Sequence, residues 1–199
     1  MKNDKTGAPA EGVRERKRRE TLQRITQAGI SLFIEKGYDA ATLDEIAARA
    51  GISRRTFFYY FKSKDEILLS AQSGMGEAIV AALLTSAPDK RPLAAIREAV
   101  IKVCAPYPTA DLIALDRLMR SNATVQARKQ ANYIQHEQTL FAALRQRWPE
   151  AGRETALRLV AMMGISAMRL AFDMLSQEEG RRPIVGLLNE TFDALESEL

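Results

Sequence analysis

Apolar residues recur three and four positions apart over most of this chain, and that spacing predicts α-helices. Leu22, Ile25, Gly29, Leu32 and Phe33 fall on one stripe of a helix that begins at Val13 and ends at Lys36, with Gly37 as the residue that closes it. Leu43, Ile46, Ala47 and Ala50 share one face of a short second helix, which leaves Asp44, Glu45 and Arg49 towards water. Thr42 stands at its N-cap, Glu45 follows at the spacing of a capping box, and Gly51 ends it. Ser53 caps a third helix from Arg54 to Phe61, whose Phe57 and Tyr60 turn back on the second while Arg54, Arg55, Thr56 and Tyr59 face outward. Leu32, Phe33, Ile46, Ile52, Phe57 and Phe61 are the candidate core of these three helices.

A longer helix follows, with Ser63 as its cap and Asp65 and Glu66 in the first turn, where the helix dipole favours acids. It runs through Ile67, Leu68, Ala71, Met75, Ala78, Ile79, Ala82 and Leu83 to near Ser86, a rod of about 20 residues and ~30 Å. Gly74 and Gly76 inside it each cost up to ~1 kcal/mol relative to alanine, and mark either a bend or close packing. Pro88 and Pro92 bracket a loop. Further helices are predicted at 92–105, 109–121, 124–147, 152–177 and 183–198, broken by Pro106 and Pro108, by Pro149 and Gly152, and by Gly180 and Pro183. No strand alternation or internal repeat interrupts the pattern.

The expected fold is therefore all-α, with about nine helices in total. Residues 13–62 form a three-helix helix-turn-helix domain, and a long helix joins it to a C-terminal bundle within 63–199. Residues 1–12, with Gly7, Pro9 and Gly12 and almost nothing apolar, read as a disordered tail.

Composition narrows the chemistry. The 199 residues are 46% hydrophobic, which supports a substantial core. No apolar run approaches the ~18 to 20 residues of a membrane span and Met1 to Gly12 lacks a signal-peptide core, so the expectation is a cytoplasmic protein without a membrane partner. Two glycosylation sequons, at Asn122 and Asn189, are then chance matches. A single cysteine, Cys104, excludes an internal disulfide, and with one histidine, His136, no Cys/His metal cluster can be written. No phosphate-loop glycine pattern and no apolar-set carboxylate pair supports an enzyme, so no catalytic residue, metal or cofactor is assigned. The formal charge of +4 is unevenly divided: residues 1–70 hold 14 Lys and Arg against 10 Asp and Glu, while the remainder balance.

That excess coincides with the helix-turn-helix. Two arginines, a threonine and a tyrosine on the second of its helices suit the major groove, since arginine forks onto guanine O6 and N7 and threonine offers a hydroxyl and a methyl. The candidate DNA-binding set is Thr42, Ser53, Arg54, Arg55, Thr56, Tyr59, Tyr60 and Lys64, the last at the positive end of the long helix and so suited to a phosphate. The alternative is a helical hairpin with a solvated basic face. Arg14, Arg16, Lys17, Arg18 and Arg19 likewise either reach flanking phosphates or a minor groove, or form a solvated helix end.

Thr42, Ile46-Ala47, Ala50-Gly51-Ile52-Ser53, Thr56, Phe61 and Lys64-Asp65-Glu66-Ile67-Leu68 together resemble the DNA-binding signature of the TetR family of one-component transcriptional regulators, over roughly Arg16 to Leu69. The resemblance implies double-stranded operator DNA as partner, a homodimer, repression relieved by a small-molecule effector, and a backbone contact from Lys64. Phe58 stands where the family usually has tyrosine, so that an aromatic phosphate contact is either lost or passes to Tyr59 or Tyr60.

The C-terminal half supplies two further expectations. Apolar residues wrap most of the helix from Ala156 to Leu175, which is either buried in one monomer or packed on its core with one face and on a second subunit with another. Met163, Gly164, Ala167, Met168, Leu188 and Phe192 are the candidate dimer interface. An effector cavity is expected to be mainly apolar, with Cys104, Tyr107, Met119, Tyr133, His136, Phe141 and Phe172 as candidate lining, and Trp148 and Met162 of the same type; each is otherwise a core residue. Arg120-Ser121-Asn122 after Leu118-Met119, with the pattern of helices in this half, looks similar to regulators with an acyl-CoA-like ligand-binding domain, which implies an amphipathic or acyl ligand. A helix-turn-helix protein without an effector is the alternative.

Overall fold

The computed structural model describes residues 12–87 and 89–198, and among these every regular element is an α-helix. The tail expected at residues 1–11 and the loop residue Pro88 lie outside the described residues. Gly12, placed in that tail by the sequence, instead caps the first helix: its carbonyl accepts from the N–H groups of Glu15 and Arg16. Among the described residues nine α-helices follow, α1 (Val13–Lys36), α2 (Leu43–Arg49), α3 (Arg54–Tyr60), α4 (Lys64–Leu84), α5 (Pro92–Cys104), α6 (Thr109–Ser121), α7 (Ala123–Arg147), α8 (Glu154–Gln177) and α9 (Ile184–Ser197). They group into two compact units divided between Ile67 and Leu68, within α4.

In the first unit, Ile25, Leu32 and Phe33 of α1 are buried with Ile46 and Ala47 of α2, Phe57 of α3, and Phe61, while Ile52 is only half-buried. The unit extends beyond residue 62 because the buried Ile67 side chain lies against Gly29, where an added Cβ would come within 2.8 Å of Ile67 Cγ2. A residue larger than glycine on that face of α1 would displace α4's first turns.

Helix α8 is the hub of the second unit, packing on α5, α6, α7 and α9. Ile96, Val100, Leu144, Leu157, Ala161, Ile165, Leu175, Leu187 and Phe192 are among its buried core. Pro92 occupies the first turn of α5, where its missing N–H is no loss. Arg97 of α5 bonds the side-chain oxygen of Asn189 at 2.8 Å and pairs with Asp193 at 2.6 Å, fixing α5 against α9 at the surface. By length and composition alone α4 and α8 are apolar enough to cross a membrane, a test that a core helix packed within a bundle also passes.

Candidate nucleic-acid interface and ligand cavity

The turn between α2 and α3 is closed at both ends by backbone and side-chain bonds. Thr42 accepts from the Glu45 N–H at 3.2 Å while the Glu45 carboxylate accepts from the Thr42 N–H at 3.0 Å, the reciprocal capping box. Gly51 adopts φ +66°, its N–H bonds the Ala48 carbonyl and the Ile52 N–H bonds the Ala47 carbonyl, a Schellman motif that reverses the chain in the space of one residue. Ser53 then caps α3 by accepting from the Thr56 N–H at 3.0 Å, and the two hydroxyls lie 2.8 Å apart. Thr42 and Ser53, candidates for DNA contact, are thus also the caps that hold the motif.

The outward face of α3 carries Arg54, Arg55, Phe58 and Tyr59, with Thr56 and Tyr60 partly buried. Tyr59 is 73% exposed, its ring edge-on to Tyr60 at 5.2 Å. Arg54 is held by Asp44 of α2, at 2.9 Å, and lies over the Phe58 ring at 5.8 Å. Phe58 therefore supports Arg54 by apolar and cation–π contact where a tyrosine would add a hydroxyl. Arg55 makes no hydrogen bond or ion pair among the described residues.

Lys64 sits differently from the sequence expectation. Its Nζ donates to the backbone carbonyls of Tyr38 at 2.6 Å, Ala41 at 3.2 Å and Asp39 at 3.3 Å, and lies 4.6 Å from the centre of the Tyr38 ring. The Tyr38 hydroxyl in turn donates to Asp65. An ammonium has three donors, and three carbonyls of the loop between α1 and α2 accept from it. Glu45 is held at the surface by its neighbours: its bond from Lys36, then the bonds from Thr42, hold its carboxyl down at about 2.

The second unit contains a cavity of about 110 Å³ between α4, α6, α7 and α8. Of the candidates, Met119, Tyr133, His136 and Phe172 lie in its wall, with Met75, Leu112, Leu115, Val125 and Met168. Cys104, Tyr107 and Phe141 do not. Cys104 is fully buried in the helical core, Tyr107 is 48% exposed beyond the end of α5, and Phe141 packs on the core with Arg145 and Arg158 over its ring. Trp148 is core and Met162 is exposed.

Gln72, Asp116, Arg120, Asn132, Arg169 and Asp173 also line the cavity and were not among the candidates. Arg120 bonds Asp116 at 2.6 Å and Asp173 at 2.8 Å, which raises its pKa. Asn132 donates to Gln72 at 2.6 Å, and Arg169 lies over the Tyr133 ring. Asp116 and Arg120 are four residues apart among Leu112, Leu115 and Met119, a charged pair on an apolar helix face that the sequence displays openly. A wider depression of about 560 Å³ at the α7–α8 turn is crossed by the surface pair Arg145–Glu154.

The dimer candidates face inward. Gly164 abuts Ile96 of α5, so closely that an added Cβ would lie 2.8 Å from its Cγ2; the helix that approaches there is the chain's own. Ala167, Met168, Leu188 and Phe192 are buried in the same core and Met163 is half-buried. Outward on α8 stand Leu159, Met162 and Leu170, 51%, 43% and 53% exposed, at the spacing of one helical stripe.

A helix-turn-helix bearing an exposed arginine and tyrosine, followed by a separate helical bundle, is the arrangement of a DNA-binding transcriptional regulator. Residues 25–71 match the model of bacterial regulatory proteins of the tetR family, and residues 90–199 match the model of the MftR C-terminal domain. The chain belongs to the TetR family of transcriptional regulators. Among curated relatives it is similar to the transcriptional regulator TcmR of Streptomyces glaucescens, 36% identical over 85 residues that cover 43% of this chain and 38% of that protein. It is also similar to RutR of Escherichia coli K12, 32% identical over 89 residues that cover 43% and 42%. The matched region thus spans about two fifths of the length of these relatives. Solved structures share the fold: FadR of Bacillus subtilis in complex with stearoyl-CoA has a TM-score of 0.60 at 21% identity, covering 89% of this chain and 98% of that one. A TetR-family regulator from Syntrophomonas wolfei has a TM-score of 0.61 at 16% identity, covering 90% and 94%.

Proposed function

We propose that this protein is a cytoplasmic, ligand-responsive repressor that binds a palindromic operator as a homodimer and leaves it when a small apolar or amphipathic effector enters the cavity of the second unit. The observation that carries this reading is the double membership of α4. Lys64 in its first turn grips the loop before the helix-turn-helix, and Ala71, Gln72 and Met75 further along the same helix line the cavity. A ligand that shifts α4 thereby acts on the element that anchors the DNA-binding motif. Moving the equilibrium from 1:99 to 99:1 requires about 5.5 kcal/mol of differential affinity between the two states.

Arg55 and Tyr59, outermost on α3, are the base-reading and phosphate-contacting candidates, with Thr56, Arg54 and Tyr60 beside them. Two-fold symmetry presents two such helices to half-sites about 34–36 Å apart. The apolar row Leu159, Met162 and Leu170 supports a dimer face on α8, because in water such a row gains from a partner helix. The known structures of similar fold with acyl-CoA bound support a ligand site in this half, without identifying this chain's ligand.

A gel shift with the DNA flanking the protein's own gene is expected to show saturable, competitor-resistant binding. Arg55→Ala is expected to cost about 1–3 kcal/mol and to relax base preference. Binding of equal strength to every sequence tested overturns the operator reading.

A further inference from the structure

Every residue from Gly12 to Glu20 is exposed, and the first buried side chain of α1 is Ile25. The helix therefore starts about three turns before its own core, a projection of roughly 18 Å. So short a helical segment gains little by itself in water. Burial against the rest of the first unit does not account for it.

Charge is sorted around this projection. Arg14, Lys17 and Arg18 fall at three- and four-residue spacing on the line that continues through Thr21 to Ile25 and Leu32, the face of α1 that is buried further along. Arg16, Arg19 and Glu20 stand on the opposite side, where Arg16 and Glu20 pair at 3.7 Å. Among the described residues Arg14, Lys17 and Arg18 have no carboxylate partner. A helix end that merely meets water gains from opposite charges four residues apart, and the outer side has that arrangement. The inward line has like charges at the same spacing instead, which repel one another unless an anion lies against them.

The surroundings limit which anion that is. Further along, the same face of α1 packs on α2, and Gly29 meets Ile67, so the basic line overhangs the helix-turn-helix body within the first unit. Arg14 and Arg18 are about 6 Å apart along the helix axis. Phosphates of one DNA strand recur about every 3.4 Å of duplex axis, so the line matches two or three neighbouring phosphates.

We propose that Arg14, Lys17 and Arg18 form a second DNA contact, which grips backbone phosphates beside the bases that α3 reads and adds affinity without sequence preference. The assignment rests on the helix-turn-helix binding DNA and is independent of any effector. The sorting of charge within α1 separates it from a helix end that is simply solvated.

Fluorescence anisotropy of a labelled mixed-sequence duplex, titrated with the full chain across a range of salt, tests this. Two double variants remove equal charge: Arg14→Gln with Arg18→Gln from the inward line, and Arg16→Gln with Arg19→Gln from the outer side. All four side chains are exposed, so both variants are expected to keep the native thermal melt. The inward variant is expected to lower the salt slope by about two, at ~0.9 per phosphate, so that an about four-fold rise in salt weakens the native chain roughly ten-fold more than the variant. The outer variant is expected to keep the native slope. If the inward variant melts lower, Lys17→Gln alone carries the test, with a fall in slope of about one. An unchanged slope in the inward variant, or an equal fall in both, overturns the assignment and leaves DNA binding by α3 intact. A native chain that binds no duplex even at low salt overturns the DNA-binding reading and this assignment with it.

Discussion

The ammonium of Lys64 donates to the carbonyl of Tyr38 at 2.6 Å and rests over that residue's ring, so that the first turn of α4 is tied to the loop that leads into α2. Lys64→Met removes the donor to three carbonyls and is expected to destabilise the chain by about 1–3 kcal/mol, read as a lower midpoint in urea. Its effect on DNA binding distinguishes this tether from a phosphate contact. A lost phosphate contact lowers the salt slope by about one, whereas loss of the tether leaves the slope unchanged.

Glu45 gives a pH dependence with a definite sign. Its carboxyl is held well below the ordinary value of 4.5, at about 2, first by Lys36 and then by Thr42. The charged form is therefore favoured by folding, and its contribution is complete above pH 4.5 and is lost as pH falls through about 2. Thermal melts between those values are expected to show declining stability of the helix-turn-helix, with a shallower decline in Glu45→Gln.

Exposed and buried apolar residues of the last two helices respond differently to substitution. Leu170→Glu changes a residue that is 53% exposed and is expected to yield folded monomers on size-exclusion chromatography with light scattering. Phe192→Ala empties part of the core and is expected to cost about 3–5 kcal/mol in denaturant. A Leu170→Glu protein that remains a normal dimer places the interface elsewhere.

Cys104 is fully buried and its thiol is pushed up to about 12 by burial. A disulfide reagent at pH 8 is expected to leave it unmodified in the folded chain and to react with it promptly in guanidinium, since the thiolate is the reactive form.

The parts of this molecule that are local in the chain were legible from its residues. Thr42 with Glu45, Gly51 after Ala50, and Ser53 before Arg54 each satisfy backbone groups within a few positions, so type and spacing suffice. The partners of Lys64 were not legible, because they are carbonyls 23 to 26 residues earlier that any sequence supplies. Nor does composition say which way α8 turns. With apolar residues all round, it offers several plausible inner faces, and packing of Gly164 on Ile96 selects one that sends Leu159 and Leu170 outward. Gly76 had two open meanings in the sequence, bend or close approach; the His136 ring beside it shows the second.

The salt pair between Arg54 and Asp44 bears on how quickly a DNA duplex is met. Long-range attraction depends on the net field of a surface, and a guanidinium already facing a carboxylate contributes mainly a short-range dipole. If α3 reads DNA as proposed, it approaches a duplex with a weaker field than its arginines alone would generate, and exchange of Asp44 for a phosphate or guanine lets Arg54 contribute at close range.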